Sequence, residues 1–349
     1  MFEAAKPLRL LVVRLGAMGD ILHSLPAVTA LRRAHPDWVI GWAIEPQWRG
    51  LFCANGGEPG TPGMPLVDHL HLVPAKQWAR QPLSTTAWKD MARVRREVRA
   101  MRYHVAVEMQ GAVRAAMVAR WARTGRIVGE AQPREWASRW LFNERVETRG
   151  VHVIEQSVEV ANAIARDQLP IPLPLLPRDP EAEERAAKLP QPLVLLSPGA
   201  GWGAKRWPPE RYGEVARRLA QEGCAVAVNC GPREENLARQ IAEISGGAAT
   251  ALWLDMAGLI AVTRRAALAI AGDTGPLHLA CALGKPVVGI YGPTDPARNG
   301  PFHTPSRVLR HPDSVRDHAR RSEPEAGLLT ITTADVTAAA LDLLRETRS

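Results

Sequence analysis

LRLLVVRLGAMGDILHSLPAVTALRRAHP, residues 8–36, reads as one βα unit. Residues 8–15 form a nearly unbroken apolar run, as expected of a strand buried on both faces of a parallel sheet. GAMGD is a glycine turn, and the remainder has the period of an amphipathic helix. The same grammar continues outward. WVIGWAIE (38–45) and HVAVEM (104–109) read as further strands, QGAVRAAMVARW (110–121) leads away from the second, and a long helix pattern surrounds 152–166. NGGEPGTPGMP (55–65) reads as a surface loop. LPIPLPLLPRDP (169–180) then breaks the pattern with prolines, which lack the N–H that helices and central strands require, and marks a domain boundary.

Beyond it the alternation restarts. PLVLLSPGA (192–200), CAVAVNC (224–230), ALWLD (251–255), ALAIAGD (267–273) and PVVGIYG (286–292) read as strands. PERYGEVARRLAQEG (209–223), REENLARQIAEISG (233–246), residues 256–265 and HLACALG (278–284) read as helices. The expected fold is α/β, with two Rossmann-like domains facing a central cleft. Their expected bounds are 1–175 and 185–330, and a C-terminal helix within 331–349 is expected to pack back on the first domain. A chain of 349 residues exceeds the size at which one core keeps growing.

An apolar fraction of 46% with 23% charged residues suits a folded chain and excludes general disorder. The absence of an 18-residue apolar run and of a signal-peptide pattern leads to the expectation of a cytoplasmic protein. Four scattered cysteines without a CxxC pair suggest neither a zinc site nor a disulfide framework. The net charge of +8 favours anionic partners: phosphates, nucleic acid or an acidic membrane surface.

Three loops carry the chemistry. GAMGD has Gly16, Gly19 and Asp20 but lacks the third glycine of GxGxxG, which weakens a nicotinamide-dependent oxidoreductase. Either it is a tight turn in which Asp20 caps the following helix, or it sets Asp20 at a crevice to take a proton from an attacking hydroxyl. SPGAGWGAKRWP (197–208) opens at Ser197 and places Lys205 and Arg206 in a glycine-rich loop, read as a phosphate cradle or as a flexible basic turn. It lacks the GxxxxGK[ST] pattern of an ATPase.

AGDTGPLHLACALGKPVVGIYGPTDP (271–296) is the sharpest segment. Asp273, Thr274 and Gly275 sit between a strand and a helix, so the helix amides and the Thr274 hydroxyl can hold a diphosphate. His278 is either a core histidine or a phosphate donor. Asp273 beside an anion has three roles open to it: fixing the loop, holding a sugar hydroxyl or orienting Lys205. In GPREEN (231–236), Glu234 or Glu235 binds ribose hydroxyls or belongs to an acidic first helical turn. EMQGAVRA (108–115) offers Gln110 and Arg114. MARVRREVRAMR (91–102) gathers Arg93, Arg95, Arg96, Arg99 and Arg102. Such a run is ordinarily a solvated face; with Trp78 and Trp88 it also suits an anionic lipid headgroup surface.

RLGAMGDILHSLPAVTALRRAHP, LSPGAGWGAKRWPPERYGEVARRL and AGDTGPLHLACALGKPVVGIYGPTDP together resemble the ADP-heptose:lipopolysaccharide heptosyltransferases, glycosyltransferases of family 9 with the GT-B fold. The first segment and EMQGAVRA are most like heptosyltransferase I, which adds a heptose to a Kdo residue of the inner core. The resemblance implies Asp20 as catalytic base and Lys205 on the donor phosphate. It implies Asp273, Thr274, Gly275 and His278 around the ADP diphosphate, with Gly19 and Ser197 in the donor site. Glu234, or Glu235 by register, falls to the ribose, and Gln110, Arg114, Arg93 and Arg96 to the acceptor. It implies an inverting, metal-independent transfer without a cofactor, with ADP-heptose as donor. The acceptor is Kdo-lipid A or a related anionic glycolipid, reached by transient association with the inner face of the bacterial inner membrane. The rival reading, a basic module for nucleic acid, predicts salt-sensitive binding that survives loss of the loop residues; no nucleic-acid partner is expected.

Overall fold

The computed structural model describes residues 7–231, 234–314 and 322–347. The chain divides into two compact units, Met1–Pro177 and Arg178–Ser349. In the first, the strands are β1 (Arg9–Val13), β2 (Val39–Ile44), β3 (His69–Leu72), β4 (Val105–Glu108), β5 (Arg126–Glu130) and β6 (Glu144–Val146). Its helices are α1 (Met18–Ala34), α2 (Ala75–Arg80), α3 (Thr85–Ala100), α4 (Val113–Trp121) and α5 (Val153–Ala165), with a 3-10 turn at Trp136–Leu141.

The six strands are all parallel in the order β3-β2-β1-β4-β5-β6. Right-handed crossovers that leave the middle of the sheet in opposite directions put α1 on one face and α4 on the other. Side chains alternate across a strand, so Leu11 and Val13 of β1 reach Val94 and Val98 of α3 and Ala115 of α4 in one core. α5 packs on α1. Gly41 of β2 is required by a close approach: a Cβ there would lie 1.8 Å from the Tyr103 hydroxyl. That hydroxyl is 2.7 Å from His71 Nε2, and burial, with His69 nearby, lowers the His71 pKa to about 4, so the ring is neutral.

The second unit repeats the plan. Its strands are β7 (Leu193–Ser197), β8 (Ala225–Cys230), β9 (Ala249–Trp253), β10 (Leu268–Gly272), β11 (Val287–Tyr291) and β12 (Ser306–Arg310). Its helices are α6 (Pro180–Ala187), α7 (Pro209–Gln221), α8 (Glu235–Ile244), α9 (Met256–Arg265), α10 (Gly275–Ala282), α11 (Pro296–Asn299), α12 (Ala326–Thr330) and α13 (Thr333–Glu346). The order β12-β11-β10-β7-β8-β9 is the same doubly wound arrangement.

The second unit runs from Arg178, and near its start α6 packs on α9 and Glu183 pairs with Arg264. Within the second unit, Val336, Ala340, Leu343 and Leu344 of α13 are in the core, against α7 and β10–β12. Trp207 Nε1 donates to Ile331 O at 3.1 Å and Arg211 Nη1 to Leu329 O and Ile331 O at 2.7 Å, which ties the approach to α13 onto α7.

Leu343 is fully buried in this core. Leu343→Ala is expected to lower the unfolding free energy by about 3 kcal/mol, measured by urea denaturation, whereas a peripheral helix would give a loss below ~1 kcal/mol.

Candidate active site

In an open parallel sheet, the loops after the two strands flanking the switch in strand order diverge and leave a crevice. In the first unit these loops follow β1 and β4; in the second they follow β7 and β10. Asp20, Gln110, Lys205 and Asp273 all lie on these four loops or within a turn of them.

Asp20 is the third residue of α1. Its carboxylate accepts the Ala17 N–H at 3.1 Å and meets Arg14 Nη2 at 3.3 Å, with 46% of the side chain exposed. It therefore braces the helix start and stays accessible, which accommodates both roles read from the sequence. Gly19 precedes it in the first turn. Gln110 turns inward: it is buried, and its Oε1 accepts the Leu15 N–H at 2.9 Å, fastening the loop after β4 to the loop after β1.

Two participants of this cluster were missed by sequence reasoning because both looked like strand residues. Arg14 orients Asp20, and among the described residues its Nε is buried without a hydrogen-bond partner, as is Trp48 Nε1 beside Gly16. Glu108 ends β4 with a buried carboxylate that accepts Gln110 N–H at 2.8 Å and Gly111 N–H at 2.9 Å. Burial outweighs these bonds and the Arg14 charge, pushing its pKa up to about 7. An acid one residue before the loop, in EMQG, is the signal that could have found it.

The expected acceptor arginines do not gather here. Arg93 is held on its own helix by Asp90 and, at 2.7 Å, by Glu97. Arg96 lines, with Trp78, Gln77 and Gln81, a cavity of about 490 Å3 beside α3. Arg114 is exposed in the first turn of α4. Among the described residues no hydrogen bond or ion pair links Arg93, Arg96 or Arg114 to Asp20.

The second unit assembles a tighter group. Lys205 Nζ lies 2.5 Å from Asp273 Oδ2, and His278 Nε2 lies 3.0 Å from Asp273 Oδ1. Of the three roles open to Asp273, this geometry matches orienting Lys205. Burial by itself would raise the Asp273 pKa, but the hydrogen bond and charge of His278 and the Lys205 ammonium overcome it and hold the carboxyl well below its usual range. His278 is both buried and bonded, one turn into α10.

The start of α10 is open. Thr274 is its N-cap, but the hydroxyl donates to Gly272 O at 3.2 Å and accepts no amide of the first turn. The Gly275 and Leu277 N–H groups are left without a side-chain cap at the positive end of the helix, while Pro276 has none to offer. Such an end binds anions. Arg206 curls the preceding loop by donating to Ala200 O, which leaves Lys205 as the loop's cation, 4.7 Å from the Trp202 ring centroid.

Ser197 is buried at the end of β7. Glu234, rather than the exposed Glu235, turns toward this loop: its Oε2 accepts the Gly231 N–H at 2.9 Å. A Cβ on Gly199 would stand 2.1 Å from that oxygen, so glycine is what admits the carboxylate. Pro232 and Arg233 of the same turn lie outside the described residues. Thr294 Oγ1, in the YGPTDP turn, is buried without a partner among the described residues. Among the described residues no group of three His, Cys, Asp or Glu side chains is placed to hold a metal ion.

Two doubly wound units of this kind, in one chain, have the GT-B fold of solved glycosyltransferases. The chain is similar to a glycosyl transferase family 9 structure from Veillonella parvula (TM-score 0.80, 21% identity, 97% of each chain). It is similar also to E. coli heptosyltransferase WaaC with ADP (TM-score 0.77, 23% identity, 98% of this chain and 100% of that one). Residues 91–327 match glycosyltransferase family 9 (heptosyltransferase), and the chain belongs to that family. It is a glycosyltransferase. Among its relatives are lipopolysaccharide heptosyltransferase 1 of Pseudomonas aeruginosa, 27% identical over 84% of this chain and 81% of that protein, and the E. coli K12 protein of the same name, 27% identical over 87% and 94%.

Glu108 supplies a pH test. Its folded-state pKa of about 7 exceeds the ordinary 4.5, so the folded state binds the extra proton between these values. The stabilisation is complete below the lower value and is lost as pH rises through the upper one. The stability advantage of wild type over Glu108→Gln, from urea midpoints, is expected to fall by up to ~3 kcal/mol between about pH 4.5 and 8. A pH-independent difference would show that Glu108 is ionised throughout.

Proposed function

We propose that the chain transfers heptose from ADP-L-glycero-D-manno-heptose to a Kdo residue of the lipopolysaccharide inner core, with inversion at the anomeric carbon. The observation that carries this reading is the Lys205–Asp273–His278 group at the uncapped N-terminus of α10. It has the composition for a diphosphate: amides and a helix dipole for oxygens, an oriented ammonium for charge, and a histidine for a further hydrogen bond. The relatives named for lipopolysaccharide heptosyltransferase 1 support the same sugar and acceptor class.

In this mechanism Glu234 takes the ribose, Ser197 and Gly275 border the donor, and Lys205 meets the phosphate. Asp20 accepts the proton of the acceptor hydroxyl as its oxygen attacks the anomeric carbon. The bond from that carbon to the ADP oxygen breaks on the opposite side, and the developing negative charge falls to Lys205, the α10 amides and His278. Arg14, by pairing with Asp20, fixes the direction of the base and adds a cation for an acidic acceptor. Gly19 keeps the turn beside Asp20 free of a side chain. Arg114 and Arg96 offer exposed guanidinium groups to the acceptor's phosphates, with Arg93 held in reserve by its own acids. Gln110 shapes the acceptor loop through Leu15. No described helix is long and apolar enough to cross a membrane, and the reading places the protein in the cytoplasm, peripherally on the inner face of the inner membrane.

The test is transfer to Kdo-lipid A by purified protein in EDTA, comparing wild type with Asp20→Asn. Asparagine can still accept the Ala17 N–H, so helix bracing is kept while the base is removed. Product from wild type, with a fall of about 10²–10⁴ in kcat for the variant, is expected. An equally active Asp20→Asn protein would reduce Asp20 to a helix brace. Absence of product with folded wild type would reject this donor and acceptor pair.

A further inference from the structure

Among the described residues, five of the seven large apolar side chains exposed on the first unit lie on a single layer: Leu83, Trp88, Met117, Trp136 and Trp140. The layer is built by α3, α4 and the 3-10 turn Trp136–Leu141, which pack side by side on one face of the sheet. Single exposed apolar residues are ordinary on soluble proteins. Here they recur with arginine. On α4 the exposed positions are Arg114, Met117 and Arg120, spaced by three residues along one stripe. The 3-10 turn presents Trp136 and Trp140, 60% and 65% exposed, with ring centroids 5.5 Å apart edge to face. Arg139 lies 5.7 Å from the Trp136 centroid and Arg145 5.7 Å from that of Trp140.

The charge of this layer is one-sided. Its carboxylates are engaged internally: Asp90 and Glu97 with Arg93, Glu135 with the Val113 N–H at 2.9 Å, and Glu144 with Arg126 at 2.9 Å. Arg114, Arg120, Arg139 and Arg145 have no carboxylate partner among the described residues. Paired indoles with guanidinium groups beside them combine an apolar body that partitions into the headgroup region with cations that meet lipid phosphates.

We propose that this face seats on an anionic lipid bilayer, with Trp136 and Trp140 as its insertion pair and the flanking arginines as headgroup contacts. The inference deepens the reading of a lipid-linked acceptor and rests on it for its purpose. The anchor is wired to the acceptor end of the sheet. Glu135, the residue before the turn, donates its N–H to Gly111 O at 2.8 Å; Gln110 holds Leu15, and Arg14 holds Asp20. A lipid-linked sugar is thereby met at a fixed height above the bilayer by the same loops that orient Asp20.

The test is flotation of the full-length protein with vesicles of phosphatidylethanolamine and phosphatidylglycerol, and with phosphatidylcholine vesicles alone. Wild type is expected to float with the anionic vesicles, and Trp136→Ser/Trp140→Ser to bind about tenfold or more weakly. Arg139→Gln/Arg145→Gln is expected to lose the preference for anionic lipid. Trp253→Ser, which removes a 57% exposed indole of the second unit, is expected to float like wild type. No flotation of wild type, undiminished flotation of the Trp136/Trp140 variant, or an equal loss in Trp253→Ser would overturn the proposal. Transfer to a delipidated acceptor separates the two readings: the Trp136/Trp140 variant is expected to retain it, and its absence in every protein would sink the transferase chemistry while leaving the flotation result standing.

Discussion

The loop cluster of the second unit depends on one buried carboxylate. Asp273 stands at the end of a parallel strand, in a place where burial disfavours its charge, and remains ionised because Lys205 and His278 hold both of its oxygens. Removal of either partner leaves part of a buried charge uncompensated. The consequence is geometric. An acid next to the proposed phosphate site looks contrary to the chemistry until its partners are seen; with them, it is the anchor that points an otherwise flexible lysine toward the first turn of α10. That turn is left uncapped, so the positive end of the helix and the ammonium address the same space.

The first unit uses a looser version of the same device. Arg14 and Asp20 pair at 3.3 Å on the loop after β1, and Glu108 shapes the loop after β4 with two backbone hydrogen bonds. Gln110 joins the loops. Asp20 is left substantially exposed where Asp273 is buried, a difference that suits a group exchanging a proton with a substrate in the one case and a fixed scaffold in the other. Both halves place their chemistry at the switch in strand order, where the sheet itself supplies the crevice.

Much of this was legible in the sequence. The central strands β1, β4, β7, β10 and β11 are apolar runs that hardly admit another reading, and glycine or acid at their ends marked the functional loops. The edge strands β3, β6 and β12 were not resolved as such: short, half-exposed segments such as HLHL and ERV lack both the apolar run and the clean alternation. The C-terminal helix was recognised as a helix but not placed, since its apolar stripe specifies that a partner exists and leaves the choice of partner to tertiary structure. Arg14 and Glu108 escaped notice because each sits inside or beside an apolar strand pattern, while the groups it meets, Asp20 for Arg14 and the Gln110 and Gly111 amides for Glu108, are set by the turn that follows. Glu234 differs from the exposed Glu235 in accepting the Gly231 N–H and in lying against the glycine at 199, thirty-five residues away in sequence and in contact in space.

The claim on which the account turns is that the Lys205–Asp273–His278 group holds the donor's diphosphate. It is tested most directly by calorimetric titration of ADP into wild type, Lys205→Ala and Asp20→Asn. ADP is expected to bind wild type and Asp20→Asn alike and Lys205→Ala at least about tenfold more weakly, the loss of a charge-assisted contact worth roughly 1.5–3 kcal/mol. Equal ADP affinity in Lys205→Ala and wild type would contradict it.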